Sequence, residues 1–130
     1  MRTKEFIAAQ LSKCLDHPHW WVRRSALQSA GRLQIVRTAP QIAKCLRDTE
    51  FLVRRNACLC VAQLCKFDEV TSPDVLRQLS LLVDDDDRYN RLYATEAMQR
   101  VAQYHLRKMP SLKRLFQFLL TSRFDSDGRF

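Results

Sequence analysis

A chain of 130 residues with 46% hydrophobic residues, two glycines and four prolines is long enough for one globular, helix-rich domain. It contains no run of about 18 apolar residues, and residues 1–5 lack the apolar core of a secretory signal, so neither a membrane span nor export is expected. The five cysteines are an odd number, which indicates reduced thiols in a cytosolic compartment, with a nuclear one as the alternative.

The net charge of +8 is concentrated in the N-terminal half of the chain. Residues 1–66 hold twelve Lys or Arg and four Asp or Glu, whereas residues 67–130 hold ten of each class. Within the second half, residues 67–87 sum to −6 and residues 88–123 sum to +7. We therefore expect a surface that is banded in charge.

The first predicted helix ends near Leu15, and a second helix runs from about His19 to Leu33 after an acidic turn. Apolar residues spaced by three or four positions define one face of a helix. In the second helix this face comprises Val22, Ala26, Ala30 and Leu33. We place this first pair of helices in residues 3–35.

The same pattern returns in residues 36–66, with helices over about 38–46 and 51–65. The residues that follow their counterparts by 31 positions are Val53, Ala57, Val61 and Leu64. Recurrence at a fixed interval is typical of stacked repeat proteins. A third copy is predicted over residues 72–108, after an insertion around 66–72 that predicts a longer connecting loop.

A further helix is predicted over residues 110–122, followed by a tail over 123–130. Its apolar residues lie 36 positions after Leu76, Leu79, Leu82 and Val83; they are Leu112, Leu115, Phe118 and Leu119. This helix would be the first half of a fourth unit. Its wide apolar face predicts a C-terminal docking surface, used for self-association or by a partner, or else a longer parent protein.

The openings of the second helices carry a family resemblance. A turn with an aspartate, followed by Val-Arg and by an alanine three residues after the arginine, resembles a HEAT repeat. The matching residues are Asp16, Pro18, Val22, Arg23 and Ala26 in the first unit, Asp48, Val53, Arg54 and Ala57 in the second, and Asp85, Arg91 and Ala94 in the third, where Asn90 replaces valine. The short period is similar to that of the phycobilisome-lyase-type subclass. The resemblance implies an all-α fold, a right-handed α-solenoid of about three and a half stacked helical hairpins.

Five arginines occupy two recurring positions on the second helices. Arg23, Arg54 and Arg91 share one position, and we expect them to pair with turn aspartates of neighbouring units as a ladder. Arg24 and Arg55 lie one step further round the helix, where we expect them to be freer to face solvent. Together with Arg32, Arg24 and Arg55 would form a basic ridge on the second helices, and we expect this ridge to bind a partner.

The adjacent Trp20 and Trp21 cannot both be buried in the same way, because successive residues of a helix point in different directions. We expect one to pack in the core or the turn and the other to be partly exposed. The exposed tryptophan is a candidate anchor for a protein partner. Base stacking on nucleic acid is a further alternative.

The sequence offers no catalytic or metal-ligating constellation. Cys58, Cys60 and Cys65 contain no paired Cys-x-x-Cys, and no acidic pattern completes a metal site around His17 and His19. The consecutive residues 84–87 are aspartates that should be solvated, not held as a pair in a pocket. We therefore expect neither an enzyme nor a bound metal or cofactor.

The leading functional hypothesis is a non-catalytic scaffold for protein–protein interaction, whose basic N-terminal half binds an acidic protein. The first alternative is binding of a nucleic-acid backbone by the same half. The repeat positions that form the basic ridge also include Leu59, Gln63 and Glu96. A surface that binds a run of phosphates would be more uniformly basic, which weighs against this alternative. The second alternative, which the family resemblance permits, is a bilin-lyase-like pigment chaperone.

Overall fold

The computed structural model describes residues 2–106, which form six α-helices and no strand. The helices are α1 Arg2–Leu15, α2 Trp20–Leu33, α3 Ala39–Cys45, α4 Phe51–Gln63, α5 Pro73–Leu81 and α6 Arg88–Leu106. The predicted helix 110–122 and tail 123–130 lie outside the described residues. So do the four proposed docking residues of that helix, Leu112, Leu115, Phe118 and Leu119.

The helices pack as consecutive hairpins in two layers. The even-numbered helices form one layer, in which α2 packs against α4 and α4 packs against α6. The odd-numbered helices form the other layer, in which α3 contacts both α1 and α5. This stacking confirms the all-α helical solenoid that the sequence predicts.

Local sequence explains where the helices of the second layer begin. Ser72 caps α5, because its Oγ accepts a hydrogen bond from the Val75 amide at 3.4 Å, and Pro73 follows at the first helical position. A proline is well placed there, since its nitrogen has no hydrogen to leave unpaired. Pro40 has the corresponding place in the first turn of α3, after a 3-10 turn at Val36–Thr38.

The end of α2 differs from the apolar face that the sequence predicts. Leu33 is 49% exposed, whereas its repeat counterpart Leu64 is fully buried. The connection after α4 is longer and folds back on itself: the Phe67 amide donates to the Leu64 carbonyl at 3.0 Å, and Val70 is buried. The connection after α2 is short, so Leu33 keeps its contact with solvent, and Leu27 is the buried leucine of that helix.

Small residues allow α2 and α4 to pack closely. A Cβ atom on Gly31 would lie 1.8 Å from Gln63 Oε1 and 3.6 Å from the Cys60 Cα atom. Alanines fill other interior places on the even-numbered helices, and those buried to within a few per cent are Ala26, Ala30, Ala57, Ala94, Ala97 and Ala102. The spacing between helices therefore depends on short side chains at these positions.

The cysteines are free thiols and three of them lie in the core. Burial raises the pKa of Cys45, of Cys58 and of Cys60 to about 12 in each case. Cys14 and Cys65 are only partly buried. Because the thiolate is the reactive form, the three core thiols should be inert in the folded protein.

We therefore expect two classes of thiol in a labelling experiment. Near pH 8, a thiol of pKa about 12 is ionised in only about one molecule in ten thousand. Iodoacetamide should modify Cys14 and Cys65 first, and Cys45, Cys58 and Cys60 only after denaturant is added. Peptide mass spectrometry over time would measure this order, and five equal rates in the native protein would contradict it.

Candidate interaction surface

The first Arg–Asp pair of the predicted ladder joins α2 to the turn before α4. Arg23 donates from Nε to Asp48 Oδ2 at 2.8 Å and from Nη2 to Asp48 Oδ1 at 2.9 Å. Its Nη1 donates to the carbonyls of His17 and Pro18, at 2.7 and 3.0 Å, in its own turn. Hydrogen bonding to Asp48 raises the pKa of the Arg23 guanidinium above its ordinary value. We call this arrangement a rung.

A second rung joins α4 to the turn before α6 with the same geometry. Arg54 donates from Nε to Asp85 Oδ1 at 3.0 Å and from Nη2 to Oδ2 at 3.3 Å. Its Nη1 donates to the carbonyls of Asp48 and Thr49, at 2.8 and 3.2 Å. The arginine side chains of the two rungs are 16% and 15% exposed, so the predicted Arg–Asp pairing is confirmed for Arg23 and Arg54 as a largely buried contact. Among the described residues, Arg91 donates only to backbone carbonyls.

The first turn of the chain departs from the predicted pairing. The turn residue six positions before Arg23 is His17, and Asp16 instead accepts a hydrogen bond from Lys44 Nζ at 2.9 Å. Both of those side chains are well exposed. An exposed ion pair contributes little to stability, so the Asp16–Lys44 pair is not equivalent to a rung.

Arg55 is only slightly freer to face solvent than Arg54: its side chain is 22% exposed against 15%, and the neighbouring hairpin holds it. Its Nη2 donates to Asp87 Oδ2 at 2.8 Å, and its Nε donates to Asn90 Oδ1 at 3.1 Å. Its guanidinium also lies 5.4 Å from the ring centroids of Phe51 and Tyr89. The neighbouring hairpin supplies the carboxylate and a ring, which hold the arginine against the surface.

The contact with Arg55 affects the pKa of the Asp87 carboxylate. Burial acts to raise its pKa, but the amide of Asn90 and the guanidinium of Arg55 outweigh that effect. The pKa of Asp87 therefore lies below its ordinary value. The carboxylate stays ionised beside Arg55 down to a lower pH than a free aspartate would.

Asn90 is a structural residue that sequence reasoning missed. It is fully buried, and its Nδ2 donates to the Phe51 carbonyl at 2.9 Å and to Asp85 Oδ2 at 3.1 Å. Its Oδ1 accepts from Arg55. The replacement of a repeat valine by asparagine was the available signal, because a buried polar side chain requires partners.

Arg24 occupies the repeat position of Arg55 but lacks the same partners. The counterparts of Asp87 and Asn90 in the second unit are Glu50 and Val53, and a valine side chain cannot accept a hydrogen bond. Within the part of the chain that the structure describes, Arg24 forms no ion pair or hydrogen bond through its guanidinium. It is partly exposed, and Arg32 on the same helix is exposed.

The structure separates the two adjacent tryptophans. Trp20 is partly buried and packs against the core, whereas Trp21 is 53% exposed. The Trp21 ring stacks on the His19 ring, with centroids 4.4 Å apart and an angle of 7° between the planes. This stacking fixes the orientation of an exposed aromatic ring at the start of α2.

Four repeat positions on the even-numbered helices are exposed or partly exposed, and they form what we call the outer stripe. The positions are occupied by Trp21, Arg24, Gln28 and Arg32 on α2, Leu52, Arg55, Leu59 and Gln63 on α4, and Tyr89, Leu92, Glu96 and Arg100 on α6. On α2 the stripe carries two cations and no acid. Its α4 section holds two leucines, one arginine and one glutamine, and its α6 section carries one charge of each sign.

Two surface clefts of about 370 Å³ each lie outside this stripe. Ala8, Ile35 and Phe67 contribute to the lining of the first, and Arg47 and Asp86 to that of the second. Neither lining contains a Ser, Cys or His side chain. These two clefts therefore lack the Ser–His or Cys–His pair on which one class of hydrolytic site depends.

Residues 2–106 contain no group of three or more His, Cys, Asp or Glu side chains that could hold a metal ion. None of the helices in the same range combines the length and the apolar content required to cross a bilayer.

Comparison with known proteins places the repeat in a family. Residues 8–103 match the family of HEAT repeats, a span that includes both rungs and the outer stripe. A comparison with curated proteins gives no match. HEAT repeats commonly mediate protein–protein interaction. The chain belongs to the HEAT-repeat family.

Proposed function

We propose that this protein is a non-catalytic scaffold that binds an acidic protein partner through the α2 section of the outer stripe. Stacked helical hairpins present a continuous surface whose exposed residues can vary without disturbing the core. The proposal rests mainly on one observation, the combination of exposed Trp21 with two arginines that are free to receive a carboxylate.

The chemistry of these residues supports an acidic protein as the partner. Tryptophan and arginine are the residue types most enriched at the energetic centres of protein interfaces. Arg24 and Arg32 find no carboxylate among the described residues, so a partner can supply one without breaking an existing pair. Arg55, in contrast, is already neutralised by Asp87 and would offer mainly its aromatic surroundings.

The composition of the stripe weighs against a nucleic-acid backbone as the ligand. A track for phosphates would carry cations at regular intervals. The stripe is interrupted by Leu59, by Leu92 and by Glu96. Binding of nucleic acid is therefore one of the outcomes that the experiment below distinguishes. None of the contacts among the described residues favours the other alternative, a pigment chaperone.

The test uses acidic peptides selected from a displayed library, with a single-stranded oligonucleotide as the competing probe. Replacing both Arg24 and Arg32 with glutamine should weaken peptide binding by about fivefold for each arginine, mainly through slower association. Binding should also weaken as salt is added. Fluorescence anisotropy and stopped-flow kinetics would measure both effects.

The matched control is a Lys13→Gln, Arg37→Gln variant, which removes the same charge from exposed positions away from the stripe. It should bind the selected peptides almost as well as the parent protein. Equal losses in the two double variants would contradict the proposal, because net charge alone would then explain binding. Tighter binding of the oligonucleotide than of any selected peptide would favour nucleic acid instead.

A further inference from the structure

The α2 and α6 sections of the outer stripe differ in chemistry. The α2 section carries Arg24 and Arg32, for which residues 2–106 supply no carboxylate. The first two stripe positions on α6 are Tyr89 and Leu92, whose side chains are 53% and 57% exposed. Because these two residues are three positions apart on one helix, they lie on the same face. One section therefore offers positive charge, and the other offers apolar surface.

The apolar surface on α6 continues into aromatic rings that surround one guanidinium. The Arg55 guanidinium carbon lies 5.4 Å from the ring centroids of Phe51 and Tyr89, and 5.9 Å from that of Tyr93. Arg55 is already paired with Asp87, at 2.8 Å, so its charge is neutralised within the chain. We call the three rings the aromatic platform. Side chains that are already held in place lose little conformational freedom when a partner packs on them.

The charges of the stripe decrease from α2 to α6. The α2 section holds two arginines and no acid. On α4 the charged stripe residue is Arg55, which is paired, and on α6 Glu96 and Arg100 sum to zero. Within the stripe, a partner's carboxylates therefore gain most on α2. A large apolar side chain gains most beside the aromatic platform, where it removes exposed rings and Leu92 from water.

The distance between the two sections is short enough for one segment of a partner to contact both. The helix α4 packs against α2 on one side and against α6 on the other. Packed helices have axes about 9 Å apart, so the α2 and α6 sections are about 18 Å apart. An extended segment covers that distance in about six residues, and a helix covers it in about twelve.

We propose that the outer stripe binds one segment of a protein partner in two parts. Carboxylates of the segment bind Arg24 and Arg32, and a large apolar side chain further along it packs on Tyr89 and Leu92. This binding mode rests on the proposed function and adds the second half of the partner's chemistry. Charged contacts mainly raise the association rate, whereas packed apolar contacts mainly slow dissociation. The two parts of the segment therefore govern different rate constants.

The substitution Leu92→Gln tests the apolar part. The probe is an acidic peptide selected from a displayed library of peptides about 16 residues long, which can span the two sections even as a helix. The variant should bind this peptide about fivefold more weakly, mainly through faster dissociation. Replacing the apolar residue of the peptide with alanine should remove the difference between variant and parent, because both changes remove the same contact. Stopped-flow fluorescence would measure both rate constants.

Leu81→Gln is the matched control. Leu81 is 63% exposed, but it lies on α5, outside the outer stripe. This variant should bind the peptide with the rate constants of the parent protein. Tyr89→Ser is a second variant of the α6 section, and it should also speed dissociation. Thermal melting followed by circular dichroism would show that each variant is folded.

Three results would overturn the two-part binding mode. The first is a parental dissociation rate for both Leu92→Gln and Tyr89→Ser. If the Arg24→Gln, Arg32→Gln variant still associates more slowly, the proposed function stands and only the apolar part is wrong. The second is an equal loss in Leu81→Gln. The third is a set of selected peptides whose apolar residue lies one or two positions from the acidic residues, since such a peptide is too short to reach both sections.

Failure of the proposed function itself would give a different result. The selected peptides would then lack acidic residues, and their association rate would not depend on Arg24 and Arg32. Faster dissociation from Leu92→Gln in that case would assign the α6 section to a purely apolar partner, and the two-part segment would be wrong.

Discussion

Replacing Ala57 with aspartate should leave no cooperative melting transition near that of the parent protein. Ala57 is fully buried in α4, which packs between α2 and α6. An isolated buried carboxylate costs several kcal/mol, which is a large part of the free energy of unfolding of a small domain. Circular dichroism during heating would measure the loss, and Ala26→Asp in α2 should behave alike.

The control for this prediction is Asp68→Ala in the connection before α5. Asp68 is exposed, so its removal should change the free energy of unfolding by no more than about 0.5 kcal/mol. Near-parental melting of the Ala57→Asp variant would mean that the repeat register is wrong, because this position would then face solvent.

Replacing Arg54 with glutamine should lower the free energy of unfolding by about 3 kcal/mol. The side chain makes four hydrogen bonds across two turns, and its removal leaves Asp85, itself only 10% exposed, without its cation. Urea unfolding followed by fluorescence would measure the change. The slope of the transition should stay the same, because the fold is otherwise retained.

A matched ion pair on the surface sets the scale for that loss. Arg77 donates to Asp74 at 3.1 Å within α5, and its side chain is 69% exposed. Arg77→Gln should therefore cost less than about 1 kcal/mol. If both arginine variants lose the same free energy, the buried rung has no special role in joining the hairpins.

The ladder and the helix positions could be predicted because both follow from residues that recur in register. The start of α5 is an example, since Ser72 and Pro73 carry the local chemistry of a helix start. Asp48 and Asp85 could likewise be assigned to arginines of the preceding unit, because the position repeats. Because the arginine and aspartate positions recur in successive units, their pairing could be inferred without knowing the three-dimensional structure.

The contacts of Arg55 could not be read from the sequence in the same way. Its partners, Asp87 and Asn90, lie more than 30 positions away in the sequence. At the corresponding positions near Arg24 the chain has Glu50 and Val53, so only the acidic partner has a counterpart. A contact that occurs once leaves no periodic signal. The sequence also could not show which of Trp20 and Trp21 is exposed. That depends on the residue at which α2 begins, and helix ends are uncertain by one or two residues when read from sequence.

The two rungs also determine how the array can bend. Each rung ties neighbouring hairpins together at the edge formed by the turns inside the hairpins. At the opposite edge, the hairpins are joined by residues 34–38 and 64–72, which differ in length. At that edge, Gln34 Nε2 donates to the Gln63 carbonyl at 3.3 Å. We therefore expect the rung edge, with its paired charges, to resist bending more than the opposite edge does. Bending of the array would then change the curvature of the outer stripe while the contacts of Arg23 and Arg54 stay in place.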